Sequence, residues 1–406
     1  MSNAVVRATS MPLLFAMMFA SQLATTIFLP GLPGIAHDLA SSLTAAQMML
    51  PAYLGSFAIA QLFVGPLSDG FGRRRVIIGG LGLFSLASLA AALAPSIELL
   101  LAARAVQASG ACATMVVARA IIRDTAHGVA AARAMSALAI AMAVGPSAAP
   151  LIGGQLVTWF DWRATFYFTC LISAVTAVAV IRHLEETLPP EQRRSARVSE
   201  QIVTYLRLFV NPVFVGYSLT VAFASGAMQA FLTASPIVLI LRMEMPPATY
   251  GICVMAMPVV YMVGSFFASW LTLWAPIDRI VLAGGFVSAS GGLMQLAFGL
   301  GIGGIDAAPA HVLGAFAISN LGTGLMLACC YAQALNTVTP SYAGAASALS
   351  GFIHMGWAFI LTFAVATVAH ETSLPLGVAQ MTTTGLSLMT ALLLVFVFRR
   401  YPSTGA

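Results

Sequence analysis

The sequence predicts an all-α membrane protein with twelve transmembrane helices in two six-helix bundles. Three observations carry this prediction: 60% of the 406 residues are hydrophobic, only 8% are charged, and the mean hydropathy is +0.94. A soluble domain carries about 25% charged residues, and a helix that spans a bilayer needs about 20 apolar residues. The composition therefore excludes a soluble domain and favours a chain built from spanning helices.

Charged residues and Pro/Gly breaks separate twelve apolar stretches. The first is long for a signal peptide and lacks a small-residue cleavage site, so we expect a retained helix. The five cysteines all fall within predicted spans, at a spacing that predicts neither a disulfide framework nor a zinc site. The predicted spans are approximately 11–32, 46–66, 76–94, 99–121, 134–158, 164–182, 212–240, 249–272, 280–301, 311–333, 344–369 and 376–398.

The arginines predict the orientation, because the chain contains no lysine. With twelve spans and the N-terminus inside, fourteen arginines fall on the cytoplasmic side and two on the opposite side. This is the asymmetry of the positive-inside rule, so we expect both termini in the cytoplasm. The inner arginines are Arg7, Arg73, Arg74, Arg75, Arg123, Arg133, Arg182, Arg193, Arg194, Arg197, Arg207, Arg279, Arg399 and Arg400, the outer ones are Arg163 and Arg242, and Arg104 and Arg119 lie within span 4.

A polar segment, residues 183–208, divides six spans from six. We therefore predict an N-terminal bundle over 1–182, a cytoplasmic linker over 183–208, partly an amphipathic surface helix, and a C-terminal bundle over 209–406. The two halves show weak self-similarity, since RVIIGG at 75–80 recurs as RIVLAGG at 279–285. A parallel 6+6 repeat is one way in which transporters form a site at the bilayer midplane.

The segment GPLSDGFGRRR, residues 65–75, is predicted to be a short charged loop between spans 2 and 3. Its glycines, Gly65 and Gly72 among them, permit a sharp turn and close helix approach. We expect Asp69 to lie against the positive end of a neighbouring helix and the arginines to pair with acids at other inner helix ends. Asp124 is the expected partner of Arg73. The alternative is that the arginines only anchor the topology.

Two further spans carry unusual residues. In span 5, Pro146 and Pro150 remove backbone donors, while glycines permit tight packing, although any kinked membrane helix is the alternative. In span 4, Arg104 lies near the outer end of the helix. A guanidinium costs at least ~2.5 kcal/mol at a helix centre, so an arginine within a span is a functional candidate by default, with snorkelling as the alternative. Gln107 shares the face of Arg104 at i,i+3.

The pattern G-x-L-S-D-x-F-G-R-R-R resembles the signature of the major facilitator superfamily between its second and third helices. G-P-x-x-x-P-x-x-G-G at 145–154 looks like the antiporter motif of its drug-exporting branch, and R-x-x-Q-x-x-G at 104–110 resembles its fourth-helix motif. Together with LPGLP at 29–33 and WRATF at 162–166, these motifs resemble the Bcr/CflA (bicyclomycin/chloramphenicol-resistance) type.

The resemblance implies three functional groups of residues. The first is a conformational latch that sets the balance of outward-open and inward-open states, the second is the antiporter motif, and the third is an arginine linked to proton transfer. The latch residues are Gly65, Asp69, Gly72, Arg73, Arg74 and Asp124, the antiporter motif comprises Gly145, Pro146, Pro150, Gly153 and Gly154, and the arginine is Arg104.

The sequence departs from this type in the first helix, where relatives usually carry an acid and this chain has Thr26. A threonine carries no proton at physiological pH, and none of the thirteen carboxylates falls in the middle of a predicted span. His354, near the centre of span 11, is the remaining titratable group and exchanges protons near neutral pH. Proton coupling, substrate contact and a structural role all stay open for His354.

Polar and aromatic positions in otherwise apolar spans predict a substrate cavity. Aromatic and methionine side chains favour adaptable apolar binding. For any one of these positions, packing is the alternative. The candidates are Gln22, Thr25, Thr26, Tyr53, Gln107, Met228, Gln229, Phe231, Tyr261, Asn320, Tyr331, His354 and Trp357.

We therefore expect a bacterial inner-membrane secondary transporter, not an enzyme, that exports small, partly apolar drugs or metabolites by proton antiport. No nucleotide-binding loop is present in the sequence. Neutral or anionic substrates are favoured over cations, because Arg104 repels a cation. An uptake permease or uncoupled facilitator is the alternative. We expect no cofactor, metal or nucleic-acid partner, and a monomer that binds substrate, protons and lipid.

Overall fold

The computed structural model describes residues 10–126, 128–193, 198–302, 308–339, 342–368 and 372–396. Several residues assigned above lie outside these ranges, namely Arg7, Arg194, Arg197, Arg399 and Arg400. The described residues form α-helices with short 3₁₀ and π segments. The helices are α1 Ser10–Thr26, α2 Leu32–Asp38, α3 Leu43–Gln47, α4 Met49–Phe71, α5 Arg73–Ala92, α6 Ile97–Thr125, α7 Gly128–Trp159, α8 Arg163–His183, α9 Val198–Val210, α10 Pro212–Ser235, α11 Pro247–Leu271, α12 Ile277–Gly299, α13 Pro309–Asn336, α14 Ala343–Thr367 and α15 Leu374–Phe396.

Within the described ranges, eleven helical segments are long and apolar enough to cross a membrane. They coincide with eleven of the twelve predicted spans within a few residues at most ends. The fifth predicted span, 134–158, lies inside the continuous helix α7, which is not among these eleven. The sequence therefore located each long helix correctly.

Two boundaries differ from the prediction. The predicted first span, 11–32, is broken: α1 ends at Thr26, a 3₁₀ turn covers Leu29–Gly31, and α2 continues to Asp38. Pro30 and Pro33 lie at the starts of these two short elements, where a missing backbone N–H is tolerated. The predicted loop at 65–75 is mostly helical, because α4 runs to Phe71 and α5 begins at Arg73.

The described chain divides into two compact units. The first extends to Val198 and also includes Pro247–Met255, the first turns of α11. Inside it, α5 packs on α6 and α8, α4 packs on α6, and α1 packs on α7, α8 and α6. The second unit comprises Ser199–Pro246 and the chain from Ala256 onward. Inside it, α12 packs on α13 and α15, and α10 packs on α15, α14 and α13. The predicted domain boundaries stay a prediction.

Both units contain the same glycine crossing between two helices. In the first unit a Cβ at Gly110 would meet the Gly80 carbonyl oxygen at 2.6 Å, and in the second a Cβ at Gly322 would meet the Gly284 carbonyl oxygen at 2.5 Å. Gly80 and Gly284 occupy equivalent places in the two copies of the sequence repeat. By this correspondence Phe316, six residues before Gly322, stands where the first unit has Arg104.

Candidate functional site

The charged segment at residues 65–75 folds into an ionic cluster centred on the buried Arg73 side chain. The Arg73 side chain is only 5% exposed, and its Nε lies 2.8 Å from Oδ2 of Asp124. Its Nη1 contacts Oδ1 of Asp69, four residues earlier, at 2.5 Å, and also donates to the Ser68 hydroxyl. The sequence analysis predicted that Asp69 lies against the positive end of a neighbouring helix. In the structure its partner is instead the guanidinium of Arg73. The cluster joins the end of α4, the start of α5 and the end of α6.

Glu186, which the sequence reasoning did not assign, closes the cluster on its other side. Its Oε1 accepts the backbone N–H of Arg73 at 2.9 Å and those of Thr187 and Leu188 at 3.1 and 3.2 Å. Its Oε2 lies 3.7 Å from Nη2 of Arg193. A carboxylate at the first turn of α5 satisfies an otherwise unpaired backbone donor and complements the helix dipole. One feature of the sequence could have indicated Glu186: it is an acid shortly after span 6, on the same predicted side of the membrane as Arg73.

Arg74 binds backbone carbonyls at the C-terminal end of α8. Its Nε donates to the Leu184 carbonyl at 2.7 Å and its Nη2 to the Ile181 carbonyl at 2.8 Å. These carbonyls belong to the last turn of α8 and the residue after it, where carbonyl groups lack intrahelical partners. Arg74 therefore stabilises the C-terminus of α8.

The two glycines of the predicted latch differ sharply. Gly72 has φ +96°, in the region that favours glycine, and a Cβ there would overlap the Glu186 carboxylate. Gly65 lies inside α4, and a Cβ there would have no heavy atom within 4 Å. The expectation of close approach therefore fits Gly72 and is wrong for Gly65, because α4 continues through Gly65 and no neighbouring element approaches it.

A second polar cluster surrounds Arg104, which is fully buried. Its Nη1 donates to the Ala24 carbonyl at 3.0 Å and to Oε1 of Gln107 at 2.5 Å, and its Nη2 donates to the Thr25 carbonyl at 3.4 Å. Gln107 in turn donates to the Ser88 hydroxyl at 2.7 Å. The guanidinium does not snorkel; it is held inside the first unit.

Three aromatic rings enclose the Arg104 guanidinium. Its Cζ lies 4.4 Å from the ring centre of Tyr53, 4.5 Å from that of Phe28 and 5.9 Å from that of Phe166. Tyr53 is 1% exposed, and its hydroxyl donates to the Ser21 carbonyl at 3.3 Å. Cation–π contact of this kind is strongest where water is excluded. Tyr53 therefore packs on Arg104 inside the unit and presents almost no surface.

The antiporter motif lies in α7, which is helical through both prolines. A Cβ at Gly145 would meet Cβ of Gln22 at 2.6 Å, and one at Gly153 would overlap the Ile27 carbonyl oxygen. Both contacts are with α1 or the residue after it, so these glycines let α1 and α7 pack at backbone distance. Gly154 makes a similar contact with the Pro247 carbonyl oxygen, which belongs to the same unit.

In the second unit the structure brings Tyr331 and His354 together. The Tyr331 hydroxyl lies 3.1 Å from Nδ1 of His354, joining α13 to α14, and both side chains are half-buried. Trp357, three residues further along α14, donates from Nε1 to the Thr383 hydroxyl at 3.1 Å. A hydroxyl hydrogen-bonded to an imidazole is an arrangement that can hold or pass a proton.

The other cavity candidates divide by burial. Phe231 is fully buried and stacks on Phe316 with ring centres 3.9 Å apart. Asn320, 4% exposed, donates to the Met257 carbonyl at 2.7 Å, and Thr26 is 2% exposed. These three pack into their units. The half-buried candidates are Gln22, Thr25, Met228, Gln229, Tyr261, Tyr331, His354 and Trp357.

Comparisons with known proteins all indicate the same family. The Major Facilitator Superfamily profile matches residues 14–362, which include both clusters and His354. The uncharacterized MFS-type transporter YdgK of Bacillus subtilis is 37% identical over 214 residues, which span 52% of this chain and 53% of that protein. Multidrug resistance protein D of Escherichia coli is 30% identical over 285 residues, covering 67% and 70%.

A third relative matches over a longer range. The bicyclomycin resistance protein homolog of Haemophilus influenzae is 28% identical over 355 residues, covering 86% of this chain and 87% of its own. Among solved structures, the peptide transporter POT in complex with sulfate aligns with a TM-score of 0.76 at 13% identity, covering 96% and 94% of the two chains. The predicted fold class and the resemblance to the bicyclomycin-resistance type are both confirmed.

Proposed function

Because this chain belongs to the Major Facilitator Superfamily, we propose that it is an inner-membrane secondary transporter that exports small, partly apolar drugs or metabolites by proton antiport with alternating access. The observation that carries the proposal is the similarity over most of the chain to a bicyclomycin resistance protein homolog and over two thirds of it to multidrug resistance protein D. The family is one of transporters, so we assign transport rather than catalysis.

The Arg73 cluster supports a conformational role for the charged segment. A buried guanidinium held by two carboxylates and a hydroxyl is a discrete arrangement that is either made or broken. We propose that it stabilises one state of the transport cycle. Its members Asp69, Arg73 and Asp124, with Gly72 and Arg74 beside them, form the latch; Gly65 is its least constrained member.

His354 is our candidate for the proton-coupling group. An imidazole titrates near neutral pH, and the Tyr331 hydroxyl at 3.1 Å gives it a partner through which a proton can pass. Arg104, in the first unit, is our second candidate for proton coupling. Substrate contact by His354 is the alternative, and in that case its replacement changes affinity rather than proton movement.

An uncoupled facilitator or uptake permease of the same fold is the second candidate function. The observation in its favour is the buried Thr26, at the position where the resemblance to the bicyclomycin-resistance type implies that an acid is usual. Without an acid in α1, the usual coupling group of the type is absent from the sequence. This candidate predicts equilibration of substrate across the membrane rather than accumulation against a gradient.

Arg104 also supports a substrate class. A fully buried cation beside the last turn of α1 disfavours a second positive charge nearby. We therefore propose neutral or anionic substrates over lipophilic cations. We further propose that the protein works as a monomer in the bacterial inner membrane with both termini in the cytoplasm, following the arginine distribution.

Accumulation of labelled chloramphenicol in cells tests the direction of transport. Cells that express the protein are compared with cells that carry the empty vector, each with and without a protonophore. Lower accumulation that the protonophore abolishes supports proton-driven export. Higher accumulation supports the uptake candidate. An unchanged level with chloramphenicol, bicyclomycin and a cationic dye alike contradicts drug export.

A further inference from the structure

The charge of Arg104 is incompletely compensated inside the first unit. The residue is fully buried, yet all three of its hydrogen-bond acceptors are neutral groups: the Ala24 and Thr25 carbonyls and the Gln107 amide oxygen. Among the described residues, the arginines of this unit that form ion pairs are Arg73, Arg163 and Arg193, and not Arg104. A buried cation without a negative partner is strongly unfavourable.

Two features of the structure reduce this cost without cancelling it. The Ala24 and Thr25 carbonyls belong to the last turn of α1, which ends at Thr26, and a helix C-terminus carries the equivalent of about half a negative charge. The rings of Phe28 and Tyr53 add cation–π attraction to the guanidinium. Part of the positive charge remains.

Two buried polar atoms at this place have no hydrogen-bond partner. One is Nε of Arg104, which is a donor only, and the other is Oγ1 of Thr26, whose hydroxyl can donate. They belong to the same neighbourhood, because Arg104 binds the carbonyls of the two residues that directly precede Thr26. Unpaired donors beside an uncompensated cation are complementary to an anion and unfavourable for a cation.

We propose that a small anion binds at Arg104 and Thr26, at the end of α1, and completes the charge balance of this cluster. Its chemical class is a single negative charge with acceptor lone pairs, supplied either by a halide ion or by the carboxylate of an anionic substrate. The anion takes the role that an acidic side chain at position 26 would play. The inference concerns binding to the folded protein and does not depend on the direction or coupling of transport.

Thermal unfolding of the purified protein in detergent tests this proposal. The melting temperature is measured in sodium gluconate, sodium chloride, sodium bromide and sodium acetate at one ionic strength and one pH. A ligand that binds only the native state raises the melting temperature. We expect saturating chloride, bromide or acetate to raise it by about 2–4 °C relative to gluconate. Equal melting temperatures in all four salts overturn the proposal.

Three variants at position 26 locate the effect. Thr26→Asp supplies a carboxylate from the chain itself, so the rise should disappear, whereas Thr26→Ser keeps the hydroxyl and should keep the rise. If Thr26→Asp does not fold, Thr26→Val serves, since it removes one donor at constant volume and should raise the half-saturating anion concentration by about tenfold. A rise of unchanged size and half-saturation in both Asp and Val variants overturns the assignment to this site.

The salt series also separates the two sources of the anion. A rise with halides but not with acetate identifies an inorganic ion as the ligand. A rise with acetate that exceeds the halide effect identifies a carboxylate site. Failure of drug export in cells leaves either of these outcomes intact, because they are measured without transport.

Discussion

Nε of Arg73 lies 2.8 Å from Oδ2 of Asp124, and this contact ties the first residue of α5 to the last turn of α6. Fifty-one residues separate the two in sequence. The pair is shielded, with side-chain exposures of 5% and 17%. It is the central contact of the charged cluster, so we expect the cluster's contribution to stability, and its proposed role as a latch, to depend first on it.

Asp124→Asn should destabilise the first unit. The change leaves the buried Arg73 guanidinium with Asp69 as its remaining carboxylate. We therefore expect the free energy of unfolding to fall by about 1–3 kcal/mol, which is less than the cost of removing the only partner of a buried charge. The melting temperature of the purified protein measures this loss. Glu98→Gln is the control, because Glu98 lies exposed in the first turn of the same helix. Equal melting temperatures for the two variants would contradict the importance of the pair.

Gly72→Ala and Gly65→Ala should have opposite outcomes although both lie in one motif. At Gly72 a Cβ overlaps the Glu186 carboxylate and the positive φ is unfavourable for alanine, so we expect a loss of about 1–3 kcal/mol. At Gly65, inside a helix with open space around it, alanine should be neutral or stabilising by up to about 1 kcal/mol. Thermal melting compares the two directly.

The reverse order of stability would contradict the assignment of the turn to Gly72. Transport measurements on Gly65→Ala provide a second test. Gly65→Ala should retain export of whichever substrate the wild type exports, since the side chain of alanine meets nothing there. Loss of export in Gly65→Ala at normal stability would show that this glycine serves another state of the cycle.

Glu186→Ala should weaken the start of α5. It removes the acceptor of the Arg73, Thr187 and Leu188 backbone N–H groups, and loss of a helix-capping side chain typically costs about 0.5–2 kcal/mol. Glu186→Gln keeps an oxygen acceptor and should cost less. The neighbouring exposed residue provides the control, Glu185→Ala. Protection of the amides of the first turn of α5 from hydrogen exchange is the measurement.

If the first turn of α5 exchanges equally fast in wild type and Glu186→Ala, the carboxylate does not cap the helix. The same measurement separates the two acids of this segment. Faster exchange in Glu185→Ala than in Glu186→Ala would show that Glu185, and not Glu186, caps the helix.

The sequence predicted the long helices well because burial in a bilayer demands apolar stretches of nearly constant length. It also identified Arg73, Asp124 and Arg104, since charges near or within apolar runs stand out. The interruption after Thr26 was missed although Pro30 and Pro33 were visible, because the apolar run continues through them without a change in hydropathy.

The partners of these charges were harder to predict. Glu186 lies 113 residues from Arg73 in sequence, just after α8, so only the packing of α8 on α5 brings the two together. The acceptors of Arg104 include two backbone carbonyls, which carry no residue-specific signal. Aromatic candidates such as Tyr53 and Phe231 are equally suited to a cavity wall and to a core. The rotation of each helix decides between these roles.

Proton release from inverted membrane vesicles tests the central claim most directly. Vesicles energised to be acid inside receive chloramphenicol, bicyclomycin or a cationic dye, with wild type, His354→Gln and, as the control, His183→Gln compared side by side; His183 lies exposed at the end of α8. We expect substrate-triggered proton efflux in wild type and His183→Gln that is lost in His354→Gln. Substrate movement without any proton efflux in wild type would contradict proton antiport and favour the facilitator.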